Sequence, residues 1–143
     1  MRFKIAYKLL LDSSGPPGTY LHCVLLNVQI GLPAAQSPRT RTFQALIDSG
    51  ATRTLFDSDL ARPLGLDLKS GQIETMHGIG GSETTYLHKV KLFVPGGPVV
   101  VKAGFKENLP IAGLLGMQGF FEFFRITFDP DARTCELDRI NRV

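Results

Sequence analysis

Cysteine is scarce in this chain. There are two, Cys23 and Cys135, too far apart for any metal-ligand spacing, which argues against a thiolate metal centre. Both fall in strand-like stretches and suit the role of small buried hydrophobes; a disulfide between them is left open at this level. Histidine is nearly as rare, and His22, His77 and His88 form no metal spacing. Neither a metal nor a cofactor is expected. No apolar run is long enough to cross a bilayer as a helix, and no serine lies in a nucleophile-elbow pattern. Nor is there a large excess of one charge: 16 Lys and Arg against 13 Asp and Glu leave a net +3. The basic residues are scattered, with Arg39-Thr40-Arg41 a small cluster that reads as a solvated loop, so nucleic acid is not an expected partner. The start, Met1 to Leu11, only imitates a secretory leader. Lys8 interrupts it, and Pro16-Pro17 follow instead of a small-residue cleavage site. A cytoplasmic protein with no membrane partner is the expectation.

What is present favours β structure. A chain of 143 residues makes a single domain, 1–143, with its own core. Fifteen Gly, nine Pro and ten Phe imply many turns between short strands. The pattern predicts strands over residues 1–11, 21–30, 43–47 and 99–101. It also predicts a hairpin from 72–78 and 83–94 around Gly80-Gly81, and a closing hairpin from 124–129 and 133–140. Short helices are predicted over 54–62, with Asp57 or Ser58 as N-cap and Pro63 and Gly65 as terminators, and over 117–124. Many strands with little helix imply an all-β, closed or nearly closed architecture.

The most informative segment is Leu46-Ile47-Asp48-Ser49-Gly50-Ala51-Thr52. An apolar strand runs straight into an acid, followed by a hydroxyl residue and a glycine. That order carries a carboxylate out of a core on a strand end and holds it in a sharp loop. Gly50 permits unusual backbone conformations and close approach of another chain, and Ser49 offers a short donor and acceptor. Downstream, Ala112-Gly113-Leu114-Leu115-Gly116 is a second apolar run ending in glycine. Between them lies Gly78-Ile79-Gly80-Gly81, followed by Ser82-Glu83, which completes neither a dinucleotide nor a P-loop pattern. Asp12-Ser13-Ser14-Gly15 is not a second copy of the acid motif, because Ser14 stands where glycine is needed and Pro16-Pro17 remove backbone donors.

Taken in order, the acid motif, the glycine-rich interval and Leu114-Leu115-Gly116 resemble the retropepsin-like aspartic proteases, the single-lobed prokaryotic members most of all. The resemblance runs from about Leu25 to Leu137. It implies an acid protease fold built as a closed β-barrel with one or two short helices. It also implies that Asp48 is the catalytic acid, with Ser49, Gly50, Ala51 and Thr52 forming the active-site loop. Ser49 would brace the partner chain's loop. Gly78, Ile79, Gly80 and Gly81 would form a flap over the substrate, the alternative being a plain turn. Leu114, Leu115 and Gly116 would pack beside the acid. Retroviral members add an acid after the first motif and an Arg-Asp or Arg-Asn after the second, forming an ion pair. Here Thr52-Arg53-Thr54 and Met117-Gln118 stand instead, so that pair is missing and support must come from elsewhere, such as the terminal strands.

One carboxylate is an indifferent amide hydrolase. Two brought close cannot both ionise, so one serves as base and the other as acid; aspartic proteases are the standing example of this pair. One such Asp per chain requires a homodimer, with Asp48 meeting its own copy on a two-fold axis. Ala51 has no hydroxyl to donate to the carboxylate, which points to a mildly acidic optimum. The expected function is therefore an aspartic endopeptidase acting on a peptide or protein substrate. The competing readings are a catalytically silent dimerisation or peptide-binding module, and hydrolysis of a non-peptide amide or ester. His77 adjoins the flap interval and reads either as a substrate contact or as an ordinary strand histidine.

Overall fold

The computed structural model describes residues 1–78 and 81–141. Among the described residues twelve strands occur: β1 (Arg2–Ala6), β2 (Lys8–Leu11), β3 (Tyr20–Cys23), β4 (Leu25–Gly31), β5 (Phe43–Ile47), β6 (Leu55–Asp57), β7 (Gln72–Gly78), β8 (Gly81–Phe93), β9 (Val99–Lys106), β10 (Gly113–Leu115), β11 (Phe124–Asp129) and β12 (Thr134–Arg139). Alternation explains most of them. In β9, Val99, Val101, Ala103 and Phe105 are buried while Val100 and Lys102 face out, the period-two pattern of a half-buried strand. Single residues break two of the predicted strands. The stretch 1–11 divides at Tyr7, whose N–H donates to the Arg133 carbonyl at 2.8 Å, and 21–30 divides at Val24.

The largest sheet runs β4-β5-β10-β6-β9-β8-β7, and β4 also pairs with β8. β4 does this by dividing its length: Leu25 to Val28 pair with β5, and Gln29 to Gly31 pair with Phe93 to Lys91 of β8. Six strands are thereby joined in a ring of pairings, and β7 extends it as an edge on β8. A second sheet, β1-β12-β11, joins the two ends of the chain, with the predicted closing hairpin intact. One core serves both sheets. It includes Ile30, Phe56, Val90, Leu92, Phe105, Leu115, Phe120, Cys135 and Leu137. Side chains of this size each stabilise by roughly 1.5–3 kcal/mol when fully buried.

Helical structure among the described residues is confined to short 3-10 segments. The predicted helix over 54–62 is displaced: Leu55-Phe56-Asp57 are strand, held between β10 and β9, and the helical turn is Ser58–Leu64. Asp57 caps it as expected, accepting the Asp59 N–H, but Pro63 lies inside the segment and Gly65, at φ 64°, ends it. Gly is suited to that left-handed position. The helix expected over 117–124 shrinks to Phe121–Phe123. In the Arg39–Arg41 cluster both arginines are exposed, as in a solvated loop, while Thr40 between them is buried and the Arg39 guanidinium lies 4.4 Å from the Phe93 ring centroid. β2 and β3 form a separate hairpin whose register places Leu9 opposite His22 and Leu11 opposite Tyr20. Cross-strand pairing puts these on one face, where Leu9, Leu11 and Tyr20 stay exposed. No helix among the described residues is long and apolar enough to cross a membrane.

Candidate active site

β5 carries the acid. Its alternation buries Ala45 and Ile47 and brings Asp48 out half-buried at the strand end. The chain then turns sharply. The Ala51 N–H donates to the Asp48 carbonyl at 3.2 Å, and the Gly50 N–H donates to the carboxylate Oδ1 at 2.9 Å. Such a turn, closed by an aspartate on its own backbone, is a local preference of this residue type. Gly50 does not use the conformational freedom expected of it, as it is not among the positive-φ glycines. A Cβ there would sit 3.2 Å from the Asp48 carboxylate, so its smallness keeps the surroundings of the acid open. Ser49, Gly50 and Thr52 are exposed and Ala51 is half-buried.

The second motif is threaded through this turn. β10 lies between β5 and β6, the two strands that the acid loop connects, parallel to the first and antiparallel to the second. Leu114 pairs with Leu46 and Leu115 with Ile47. The Leu115 carbonyl accepts the Asp48 N–H at 3.0 Å, fixing the acid at its first atom. Beyond Leu115 the two segments run side by side. Met117 N–H donates to Ala51 O at 2.8 Å, Gln118 N–H to Thr52 O at 2.9 Å, and Thr54 N–H to Gln118 O at 2.8 Å. Gly116 is required by this contact: a Cβ would lie 2.6 Å from the Ala51 carbonyl oxygen and 2.8 Å from the Arg53 backbone. Leu115 is fully buried, Gly116 is buried and Leu114 is half-buried. The structure thus brings the acid motif and Leu114-Leu115-Gly116 together in one unit.

Gly78 and Gly81, the described ends of the glycine-rich interval, lie on a hairpin. β7 and β8 pair antiparallel from Gln72↔Leu87 to Gly78↔Gly81. Ile79 and Gly80 lie outside the described residues. Thr85, fully buried, donates its hydroxyl to the Glu74 carbonyl at 3.1 Å and helps hold the two strands in register. The His88 Nε2 contacts the Leu68 carbonyl at 2.7 Å.

A contact that motif reading missed lies directly after the acid loop. Arg53 meets Glu74 of β7 through two parallel bonds, Nε to Oε1 and Nη2 to Oε2, each 3.1 Å. The retroviral-type ion pair is missing from the sequence, but its neighbourhood holds this one instead. The signal available was a lone basic residue in Thr52-Arg53-Thr54, with nothing local to name its partner.

Electrostatically the site is spare. Neither residues 48–54 nor residues 113–118 contain an acid other than Asp48. No group of three or more His, Cys, Asp or Glu among the described residues is placed to hold a metal ion. Both cysteines are free, which closes the question of a bridge between them. Asp48 is thus a single carboxylate held by a turn of backbone donors.

Comparison with known proteins bears on the family and the fold. A family model described as aspartyl protease matches residues 37–118, more than half of the chain and both motifs. The fold is similar to that of a retropepsin-like aspartic protease from Rickettsia conorii, at 16% identity and a TM-score of 0.63, covering 96% of this chain and 98% of that one. It is also similar to the retroviral protease-like domain of Ddi1 from Leishmania major, at 13% identity and a TM-score of 0.52, covering 82% and 94% respectively. A search of curated protein sequences returned no match.

Proposed function

Since this chain belongs to the retropepsin-like aspartyl protease family, we propose that it is an aspartic endopeptidase that works as a homodimer. Two Asp48 carboxyls, one from each subunit, share a proton and activate water against a peptide carbonyl. The observation that carries this reading is the placement of Asp48. It stands half-buried at the end of β5, its backbone fixed by Leu115 and its Oδ1 held by Gly50, with no second acid in its own loop or in the strand beside it. A held but solitary carboxylate is suited to meeting its own copy across a two-fold axis. Neither member of such a pair is fixed as acid or base.

Within that reading, the exposed Ser49 and Gly50 face the partner's loop, and the β7–β8 hairpin is the flap, with Gly78, Ile79, Gly80 and Gly81 as its proposed substrate-binding residues. A hairpin closing over an extended peptide excludes water and offers backbone hydrogen bonds. A strand-rich cleft suits a peptide or protein substrate, whose backbone can pair while side chains enter alternate pockets. The proposed compartment is the cytoplasm, in keeping with two unpaired cysteines.

The deciding experiment digests a peptide library with the native chain and with Asp48→Asn, across mildly acidic pH and at falling protein concentration. Cleavage by the native chain alone, lost on dilution, supports the protease. Equal cleavage by both, or persistence of activity in a demonstrated monomer, overturns it. Absence of cleavage by either favours the peptide-binding or dimerisation module. Similarity to the retroviral protease-like domain of Ddi1 is what keeps that second reading in view.

A further inference from the structure

β7 is an edge strand. In the sheet order it has β8 on one side and, among the described residues, no strand on the other, so backbone pairing ties it to the acid loop through β8 and from there by way of β9 and β6 or of β4 and β5. Two side-chain links shorten that path. Gln72 and Glu74 lie on the same face of β7 by alternation. Gln72 accepts from the Lys102 ammonium of β9 at 2.8 Å, and Glu74 takes the two Arg53 bonds.

Arg53 is well placed to act as an anchor. Its backbone forms a parallel bridge with Gln118, so it is fixed where the acid loop and the second motif run together. Its remaining Nη1 donates to the Lys102 carbonyl at 3.3 Å. The Arg53 side chain is 16% exposed and that of Glu74 32%. A part-buried, bidentate guanidinium–carboxylate contact is more directional than a freely solvated surface pair.

We propose that Arg53 and Glu74 form a positioning clamp that sets the base of the β7–β8 hairpin against the acid loop. The inference rests on the protease reading insofar as it concerns substrate. The hairpin closes productively only from the orientation the clamp holds, and releasing the clamp spreads the hairpin over other orientations. Apparent affinity falls by the fraction of time the competent orientation is occupied. Chemistry in the closed complex is unaltered, since neither side chain is asked to touch the reacting atoms. Loss of the clamp therefore raises KM and leaves kcat close to its native value.

The test compares the native chain with Arg53→Met, which keeps much of the apolar stem, with Glu74→Gln, and with the double swap Arg53→Glu/Glu74→Arg. Amide hydrogen exchange of each is read strand by strand, and steady-state kinetics are measured on the best-cleaved library peptide. The clamp predicts that Arg53→Met speeds exchange of the β7 amides by roughly tenfold or more while β11 and β12 are unchanged. It predicts a KM raised by about fivefold or more, with kcat within about threefold of native, and recovery of most of both effects in the swap. Unchanged β7 exchange overturns the clamp. So does a uniform rise across all strands, which marks general destabilisation, or a loss in kcat with KM unmoved. If the native chain cleaves nothing, the protease reading fails by itself, and the exchange pattern alone decides whether the clamp stands.

Discussion

The Thr54 hydroxyl accepts the Gly116 N–H at 3.1 Å. Thr54 is fully buried, and through this one bond the end of the acid loop is joined to the glycine that closes the second motif. Replacing Thr54 by Val keeps the shape but strands a buried amide. Such a loss costs about 1–3 kcal/mol, and Thr54→Ser, which keeps the acceptor, should avoid most of that cost. Urea unfolding of the three proteins measures the difference.

Gly116→Ala is expected to be more damaging than its single methyl suggests. The added carbon would meet backbone atoms of Ala51 and Arg53 below 3.0 Å, and backbone cannot rotate away as a side-chain tip can. Overpacking typically costs about 1–3 kcal/mol and more where relief requires moving the chain. A thermal scan should show a lower Tm, and any cleavage activity should fall further than stability alone accounts for, because the shifted atoms carry Asp48.

Burial pushes the Cys135 thiol up from 9.0 to about 11. The unfolded thiol releases its proton near its ordinary value, while the folded one retains it. The stabilisation that follows is complete below about pH 9 and is lost as pH rises toward about 11. Native protein at neutral pH should therefore react with a thiol reagent at the half-buried Cys23 first, with Cys135 modified only after unfolding. Counting modified thiols before and after adding denaturant reads this directly. Cys135→Ser should flatten part of the alkaline decline in stability.

Arg139 holds a turn remote from the site. Its Nη1 donates to the Pro95 and Gly97 carbonyls, both at 3.0 Å, and its guanidinium lies 5.3 Å from the Phe124 ring centroid. Arg139→Met should cost about 1–3 kcal/mol by leaving two part-buried carbonyls without their donor. Native-state hydrogen exchange would locate the loss at β8, β9 and β12, with the β5–β10 pairing unaffected.

The acid motif and its partner segment were legible because each is local. An apolar alternation ending in Asp48, and another ending in Gly116, declare strand ends without reference to the rest of the chain. The closing hairpin was legible for the same reason, with Pro130-Asp131 between two alternating runs. Residues 54–62 misled because Leu55 and Phe56 have neutral local preferences, and the pairing with β10 and β9 that makes them strand comes from segments far along the chain. The breaks at Tyr7 and Val24 were invisible because the apolar pattern continues across both; what changes there is the pairing partner. Arg53 and Glu74 are 21 residues apart on different elements, and no periodicity links them. Gly50 was recognised but for another reason: its value here is the space left beside Asp48, not an unusual φ.

Threading β10 between β5 and β6 also sets an order of events. Thr54 and Gly116 are 62 residues apart, so a nascent polypeptide exposes its aspartate long before the strand that braces it leaves the ribosome. Closing so long a span is slow compared with forming a neighbouring hairpin. Until it closes, β5 has only its earlier neighbour β4 beside it, and the Asp48 N–H lacks the Leu115 carbonyl that later accepts it.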